Sequence, residues 1–328
     1  MKRHLITGGA GFIGSHLAEA LLARGDAVEV LDDFSTGRRE NLAAFERDER
    51  FRLTVGGVTD PAAVASAIER NDDVYHLAAA VGVRLIVTDP ARTIQTNIRG
   101  AEVVLEAAAR TKKKVFIASS SEVYGKGVRI PLAETHDLLL GPTTCPRWAY
   151  ACSKAIDEFL ALAYAKQFDL PVVIARFFNT VGPRQSGQYG MVIPRFLRQG
   201  LAGEPITVYG DGRQTRCFAH VRDTVRAAME LMDREACRGQ VFNVGGDSEI
   251  SILELARRVV ELTGGRSRIR RIPFEEAYGP GFEDMERRVP DLARLRRSID
   301  WTNLAGIDEI LRSTMEWMRE EADTRTAS

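Results

Sequence analysis

Tyr150 and Lys154 stand four residues apart in Tyr-Ala-Cys-Ser-Lys, a spacing that puts them on one helix face, one turn from each other. A lysine ammonium beside a phenol favours the phenolate, because the opposite charge stabilises the ionised form. Free tyrosine titrates near about pH 10, so a neighbouring cation brings it toward the range of a general base. The same spacing also suits a helix with a packed tyrosine and a solvated lysine. The chemical reading therefore needs partner groups elsewhere in the chain.

One such group precedes them. Gly8-Gly-Ala-Gly11-Phe12-Ile13-Gly14 follows a short apolar stretch at 3–7 and opens a helical pattern with Ile13, Leu17, Ala20 and Leu21 on one face. Glycines permit a tight turn and let backbone N–H groups approach a pyrophosphate at the helix start. A second strand, 27–31, runs into Asp32, eighteen residues after Gly14. A carboxylate there accepts bonds from the adenine-ribose hydroxyls and repels a 2′-phosphate, which predicts NAD rather than NADP. Further contacts are expected from Val58 and from Leu77, Ala78 and Ala79, whose small side chains let the backbone pass close to a flat cofactor. Ordinary tight packing is the alternative for those alanines. A glycine-rich turn with a surface Asp explains this order of elements poorly.

The elements that must carry these residues alternate. Strands are expected at 52–55, 73–77, 114–118 and 171–175, with helices near 61–70, 91–110 and 150–168. This alternation predicts an α/β fold, a Rossmann-like doubly wound parallel sheet. The strand at 114–118 delivers Ser119-Ser120-Ser121-Glu122 at its carboxyl end, where open parallel sheets place their chemistry. After residue 176 the alternation breaks up. Helices near 191–201, 221–233 and 251–263, with strand-like pieces at 206–208 and 241–243, read as a smaller C-terminal substrate-binding lobe with returns to the first domain. The expected division is 1–176 for the NAD-binding domain with Ser, Tyr and Lys, 177–318 for the lobe, and a frayed tail at 319–328. Arg216, Arg222 and Arg288 are the arginines of interest in the lobe, and 266–271 reads as a solvated basic edge.

Composition narrows the partners. The 328 residues carry 45 Lys plus Arg against 45 Asp plus Glu. This balance argues against nucleic acid or an acidic membrane surface as the main partner. No apolar run approaches a membrane span, and the N-terminus does not read as a secretion signal. Cys145, Cys152, Cys217 and Cys237 lack metal-pair spacing, so no metal site is expected, and they read as reduced thiols of a cytoplasmic protein. His76 and His220 read as structural.

With these residues assembled, the chain resembles the extended short-chain dehydrogenase/reductase family over nearly its whole length. The resemblance implies NAD, a UDP-sugar substrate, and hydride transfer at sugar C4 by a Ser/Thr–Tyr–Lys set. That set falls here on Ser120, Tyr150 and Lys154. Asn179-Thr-Val-Gly-Pro-Arg resembles the family's entry to the substrate lobe, and Val208-Tyr-Gly-Asp-Gly-Arg-Gln-Thr-Arg216 its uridine and diphosphate segment. Arginine suits a diphosphate because its planar fork gives bidentate charged hydrogen bonds. Gly57 stands where many relatives carry an aspartate near the adenine. The family also implies a homodimer through a four-helix bundle, with Ile156, Leu160 and Ala163 as candidate contact residues.

Within the family, Ser121-Glu122 after the hydroxyl residue departs from the Asp-Glu of dehydratases and resembles UDP-glucuronate decarboxylases. Two longer segments agree: 141–150, which includes Pro-Arg-Trp, and 278–288, which carries the decarboxylases' essential arginine at Arg288. The resemblance implies oxidation at C4 of a UDP-glucuronate, loss of carbon dioxide, and release of UDP-xylose or a 4-keto-pentose. Glu122 is expected near the sugar carboxylate, where two like charges favour losing one. Alternatively Glu122 is a structural carboxylate, and Arg288 binds only diphosphate. A UDP-hexose or UDP-hexuronate 4-epimerase with the same residues is the alternative enzyme, and a catalytically silent NAD-binding regulator the alternative class.

Overall fold

The computed structural model describes residues 1–80, 89–187, 191–278, 285–302 and 304–327, and of residues 278 and 324–327 the backbone alone. Strands β1 (Arg3–Thr7), β2 (Ala27–Asp32), β3 (Phe51–Val55), β4 (Asp73–His76), β5 (Lys114–Ser120) and β6 (Val172–Phe177) form a parallel sheet. Short strands β7 (Thr180–Val181), β8 (Ile206–Tyr209), β9 (Thr215–Cys217) and β10 (Ala219–His220) follow. The chain then returns to the sheet with β11 (Gln240–Val244), and β12 (Glu249–Ser251), β13 (Ile269–Ile272) and β14 (Arg287–Arg288) complete the set. The main sheet has seven strands in the order β11-β6-β5-β4-β1-β2-β3.

The near-continuous apolar runs of these strands fit a sheet covered on both faces. On one face lie α1 (Phe12–Ala23) and a later helix, Val221–Asp233, through Leu17, Leu21, Val225 and Leu231. On the other lie α2 (Pro61–Arg70), α3 (Pro90–Thr111) and α4 (Trp148–Phe168), through Ile68, Val104 and Ala161. The direction of winding reverses between β1 and β4, so a crevice opens at the carboxyl ends of these strands.

In the second half, α5 (Val192–Leu201), α6 (Val221–Asp233), α7 (Ile252–Leu262), α8 (Phe274–Tyr278), α9 (Ala293–Ser298) and α10 (Ile307–Ala327) alternate with the short strands. A separate core of Ile193, Phe196, Val208, Leu255, Ile310 and Leu311 holds this lobe together. The basic 266–271 stretch is largely solvated, and β13, which overlaps its end, pairs with β8.

Residues 241–243 make one of the returns to the first domain: β11 pairs in parallel with β6 and supplies the seventh strand of the main sheet. One expectation needs correction. Residues 319–327 are no frayed tail: α10 continues to Ala327, and Glu321 pairs with Arg38 at 2.5 Å. That stretch is polar, so its helicity rests on the buried turns before it and on this pairing. Among the described residues no helix is long and apolar enough to cross a membrane.

Candidate active site

The glycine turn joins β1 to α1 with little room to spare. Gly8 has φ +70°, and a Cβ there would lie 2.7 Å from the Ala78 backbone. A Cβ on Gly14 would lie 2.4 Å from the Gly8 carbonyl oxygen. Gly11 caps α1 without a side-chain bond, so the first N–H groups of the helix, with Phe12 and Ile13 in its opening turn, have no side-chain cap. Asp32 ends β2 and is buried. Its two oxygens accept from Ala10 N at 2.9 Å and Phe34 N at 2.8 Å, which fixes their orientation. Burial pushes its carboxyl up, and those two amides oppose the shift. Leu77, Ala78 and Ala79 leave β4 beside the turn, while Val58 packs against Gly100 of α3. A close backbone, a helix start and an oriented carboxylate make a cradle that a dinucleotide fits. Next to Gly57, a Cβ would meet only Asp33 and Thr59, at 3.8 Å.

The reactive hydroxyls come from the end of β5 and the start of α4. Ser119 is buried and hydrogen-bonds Glu158, while Ser120 is partly exposed at the strand's end. Ser120 Oγ accepts from Glu122 N at 3.2 Å, which leaves its own hydrogen for another partner. Tyr150 is nearly buried, with Ser120 near enough to act on its phenol. Burial, then the charge of Glu122, pushes the Tyr150 phenol well up, and Ser120 opposes them. The helix is pinned by Ser153, whose hydroxyl donates to the Tyr150 carbonyl at 2.8 Å and accepts from Asn97 of α3 at 3.0 Å. Below it, Arg176 of β6 grips Glu158 at 2.7 Å, both side chains buried.

Lys154 departs from expectation. Its ammonium donates to Asp157 at 2.7 Å instead of standing free to acidify the phenol. The signal for this in the sequence is the carboxylate three residues after the lysine.

Glu122 lies among arginines from three parts of the chain. Arg288 reaches it at 2.6 Å and Arg147 at 3.4 Å. Arg216 is the register partner of Arg288, because β14 runs parallel to β9. Burial alone would push Glu122 up, but Arg288, Arg147 and Arg216 hold it down to about 2. The lone repelling charge expected at Glu122 is therefore a neutralised one. Arg147 was missed as a site residue, although it stands one turn before Tyr150.

Other positions divide. Asn179, with φ +37°, donates its amide to the Cys217 carbonyl at 2.9 Å and so braces the lobe entry. Val208 is fully buried in the lobe core, so only its backbone is left to meet a substrate. Alternation along β8 sends it inward. Arg222 is exposed and pairs with Glu309 away from this cluster. His76 is buried against Thr7, and His220 caps α6. Of the segment 278–288, residues 279–284 lie outside the described residues.

Comparison with known proteins supplies the remaining observations. The family model described as GDP-mannose 4,6 dehydratase matches residues 5–314. A UDP-N-acetyl-alpha-D-glucosaminuronate decarboxylase of Bacillus cytotoxicus is 42% identical over 320 residues, 97% of this chain and 98% of that protein. UDP-glucuronic acid decarboxylase 1 of Xenopus tropicalis is 35% identical over 325 residues, 98% of this chain and 73% of that protein. Among solved structures, a UDP-glucuronic acid 4-epimerase from Bacillus cereus, in complex with UDP-glucuronic acid and NAD, aligns with a TM-score of 0.86. It is 29% identical and covers 97% of this chain and 99% of that one.

Proposed function

The chain belongs to the GDP-mannose 4,6-dehydratase family of extended short-chain dehydrogenase/reductases, and on that premise we propose that it is an NAD-dependent decarboxylase of UDP-glucuronate. The observation that carries this reading is the Ser120–Tyr150 pair beside a glutamate that arginines hold ionised. The glycine cradle and Asp32 fit NAD, and bound NAD supplies the acceptor and donor of hydride at sugar C4.

The chain's own residues handle protons and charge. Tyr150 takes the proton of the C4 hydroxyl, and Ser120 hydrogen-bonds the same oxygen. Once C4 is a ketone, the C6 carboxylate is β to it, and its loss as carbon dioxide leaves an enolate. Ser120 and Tyr150 donate to that oxygen, a fixed-donor stabilisation of developing charge. Arg288, Arg147 and Arg216 supply positive charge for the carboxylate and diphosphate. Ionised Glu122 holds and orients a water, and that water delivers the solvent proton that C5 takes up.

A second reading of the sugar rests on one observation. The relative of 42% identity acts, by its name, on the N-acetylated glucuronate, so the C2 substituent belongs in the assay. UDP-glucuronate and UDP-N-acetylglucosaminuronate are each incubated with the NAD-loaded protein, with carbon dioxide trapped and the products weighed by mass spectrometry. Gas and a UDP-pentose from one of them is the expected result. Epimerised hexuronate without gas would instead establish the 4-epimerase.

We also propose a homodimer in the cytoplasm. Ile94 of α3 and Ile156, Phe159 and Phe168 of α4 are exposed apolar side chains that a second copy covers. Leu160, named with Ile156 from the sequence, is partly buried against the sheet core. Four cysteines without disulfides support a reducing compartment.

A further inference from the structure

Asp157 lies three residues beyond Lys154 on α4, and the two side chains are 0% and 2% exposed. One carboxylate oxygen takes the ammonium at 2.7 Å. The other, Oδ1, is buried without a hydrogen-bond partner among the described residues. A buried acid with half its acceptors unused is costly, so its place beside the reactive lysine calls for a reason.

The surrounding charges sharpen the point. From β4, His76 faces Lys154, and burial first, then the ammonium, push it down to about 3, so it stays neutral. From the Ser121–Tyr124 turn, Glu122 adds negative charge at Tyr150 while Arg288, Arg147 and Arg216 attend to Glu122. On α4 itself Glu158 is gripped by Arg176 of β6. From α3, uncharged Asn97 meets Ser153, and Glu102, Glu106 and Arg110 lie toward Tyr164. Burial pushes Asp157 up and Lys154 opposes that, while the charge of Asp157 itself works against ionising Tyr150.

We propose that Asp157 is a positioning residue for the reaction: it anchors Lys154 and absorbs part of the ammonium's field, and so sets how readily Tyr150 gives up its proton. The proposal rests on the reading of Tyr150 as the base. Lys154 then stands ready for a cofactor ribose without making the phenol permanently ionised.

The test compares pH profiles of carbon dioxide release from the UDP-hexuronate substrate by wild-type, Asp157→Asn, Asp157→Ala and Tyr150→Phe proteins, all loaded with NAD. Asn keeps shape and removes charge, so the acid limb is expected about one pH unit lower, and the rate on that limb about tenfold higher. The Ala variant shifts in the same direction. A profile lowered at every pH with its limb unmoved would show a structural role and overturn the proposal. A Tyr150→Phe protein as active as wild type would sink the base reading itself. An inactive Tyr150→Phe beside unshifted Asp157 profiles would sink only the role of Asp157. Should neither Asp157 variant fold, a wild-type structure with NAD bound decides: Lys154 still within hydrogen-bond reach of Asp157 supports the anchor, and Lys154 swung wholly away overturns it.

Discussion

Arg288 Nη1 lies 2.6 Å from Glu122 Oε1, joining a strand of the small lobe to the turn that follows β5 of the main sheet. This contact spans the two parts of the molecule at the proposed sugar site. Removing the guanidinium leaves Glu122 with less positive charge and, on the proposed reading, the substrate carboxylate without a partner. Arg288→Met is therefore expected to lower the rate of carbon dioxide release by about a hundredfold or more, in line with the loss of a fixed charge donor. Single-turnover measurement with trapped gas checks it, and a rate within a few-fold of wild type would remove Arg288 from the chemistry.

Acid stability follows from the same cluster. Glu122 has a folded value of about 2, below the ordinary range near 4.5. A depressed carboxylate stabilises the fold above its unfolded value, and that contribution fades as pH falls from about 5 toward 2. Glu122→Gln is expected to show a flatter loss of stability across that window than wild type. Urea unfolding at a series of acidic pH values measures it; parallel curves for the two proteins would contradict the arginine cluster's grip on the carboxylate.

Gly8 gives a test of the cradle. Its φ of +70° and the 2.7 Å approach of the Ala78 backbone leave no place for a methyl group. Gly8→Ala is expected to weaken NAD binding by at least about tenfold and to cost about 1–3 kcal/mol of stability through local strain. Calorimetric titration with NAD reads the first and chemical denaturation the second. Unchanged binding would mean that the cofactor does not use this turn.

Arg176 and Glu158 are both 6% exposed, with their charged ends 2.7 Å apart. Arg176→Met strands a buried carboxylate on the helix that carries Tyr150, at an expected cost of about 3–5 kcal/mol. The double change Arg176→Met with Glu158→Leu is expected to recover much of that. Equal instability of the single and double variants would show that packing, not charge, explains the loss.

Phe159 is 69% exposed on α4. A charge there opposes a second copy, so Phe159→Asp is expected to behave as a monomer in light scattering at concentrations where wild type is dimeric. A wild-type protein that scatters as a monomer at micromolar concentration would end the dimer reading without touching the chemistry.

Much of the fold was legible because period and order are local properties. The glycine turn, Asp32 and the strand–helix alternation each announce themselves within a few residues, and β1 and α2 fall where the pattern predicts. Ser120 and Tyr150 were nameable, and the fold brings them near each other. What was not legible depends on distance in sequence. Nothing in Gln240–Val244 says that it joins β6, because a short apolar run fits a lobe strand as well as a sheet strand. The cluster around Glu122 needs β14 beside β9, a register that no spacing reveals. Asp157 was within reach, yet an acid three residues past a lysine reads first as an ordinary helix-surface pair, and only burial makes it notable.

The late return of β11 to β6 has a consequence for dissection of the molecule. A fragment ending at Phe177 would expose the backbone edge of an inner strand, a template for aggregation. The nucleotide half is thus not a self-sufficient folding module. Any chimera that borrows a foreign specificity lobe must keep Gln240–Val244 from the recipient, threaded through the donor sequence.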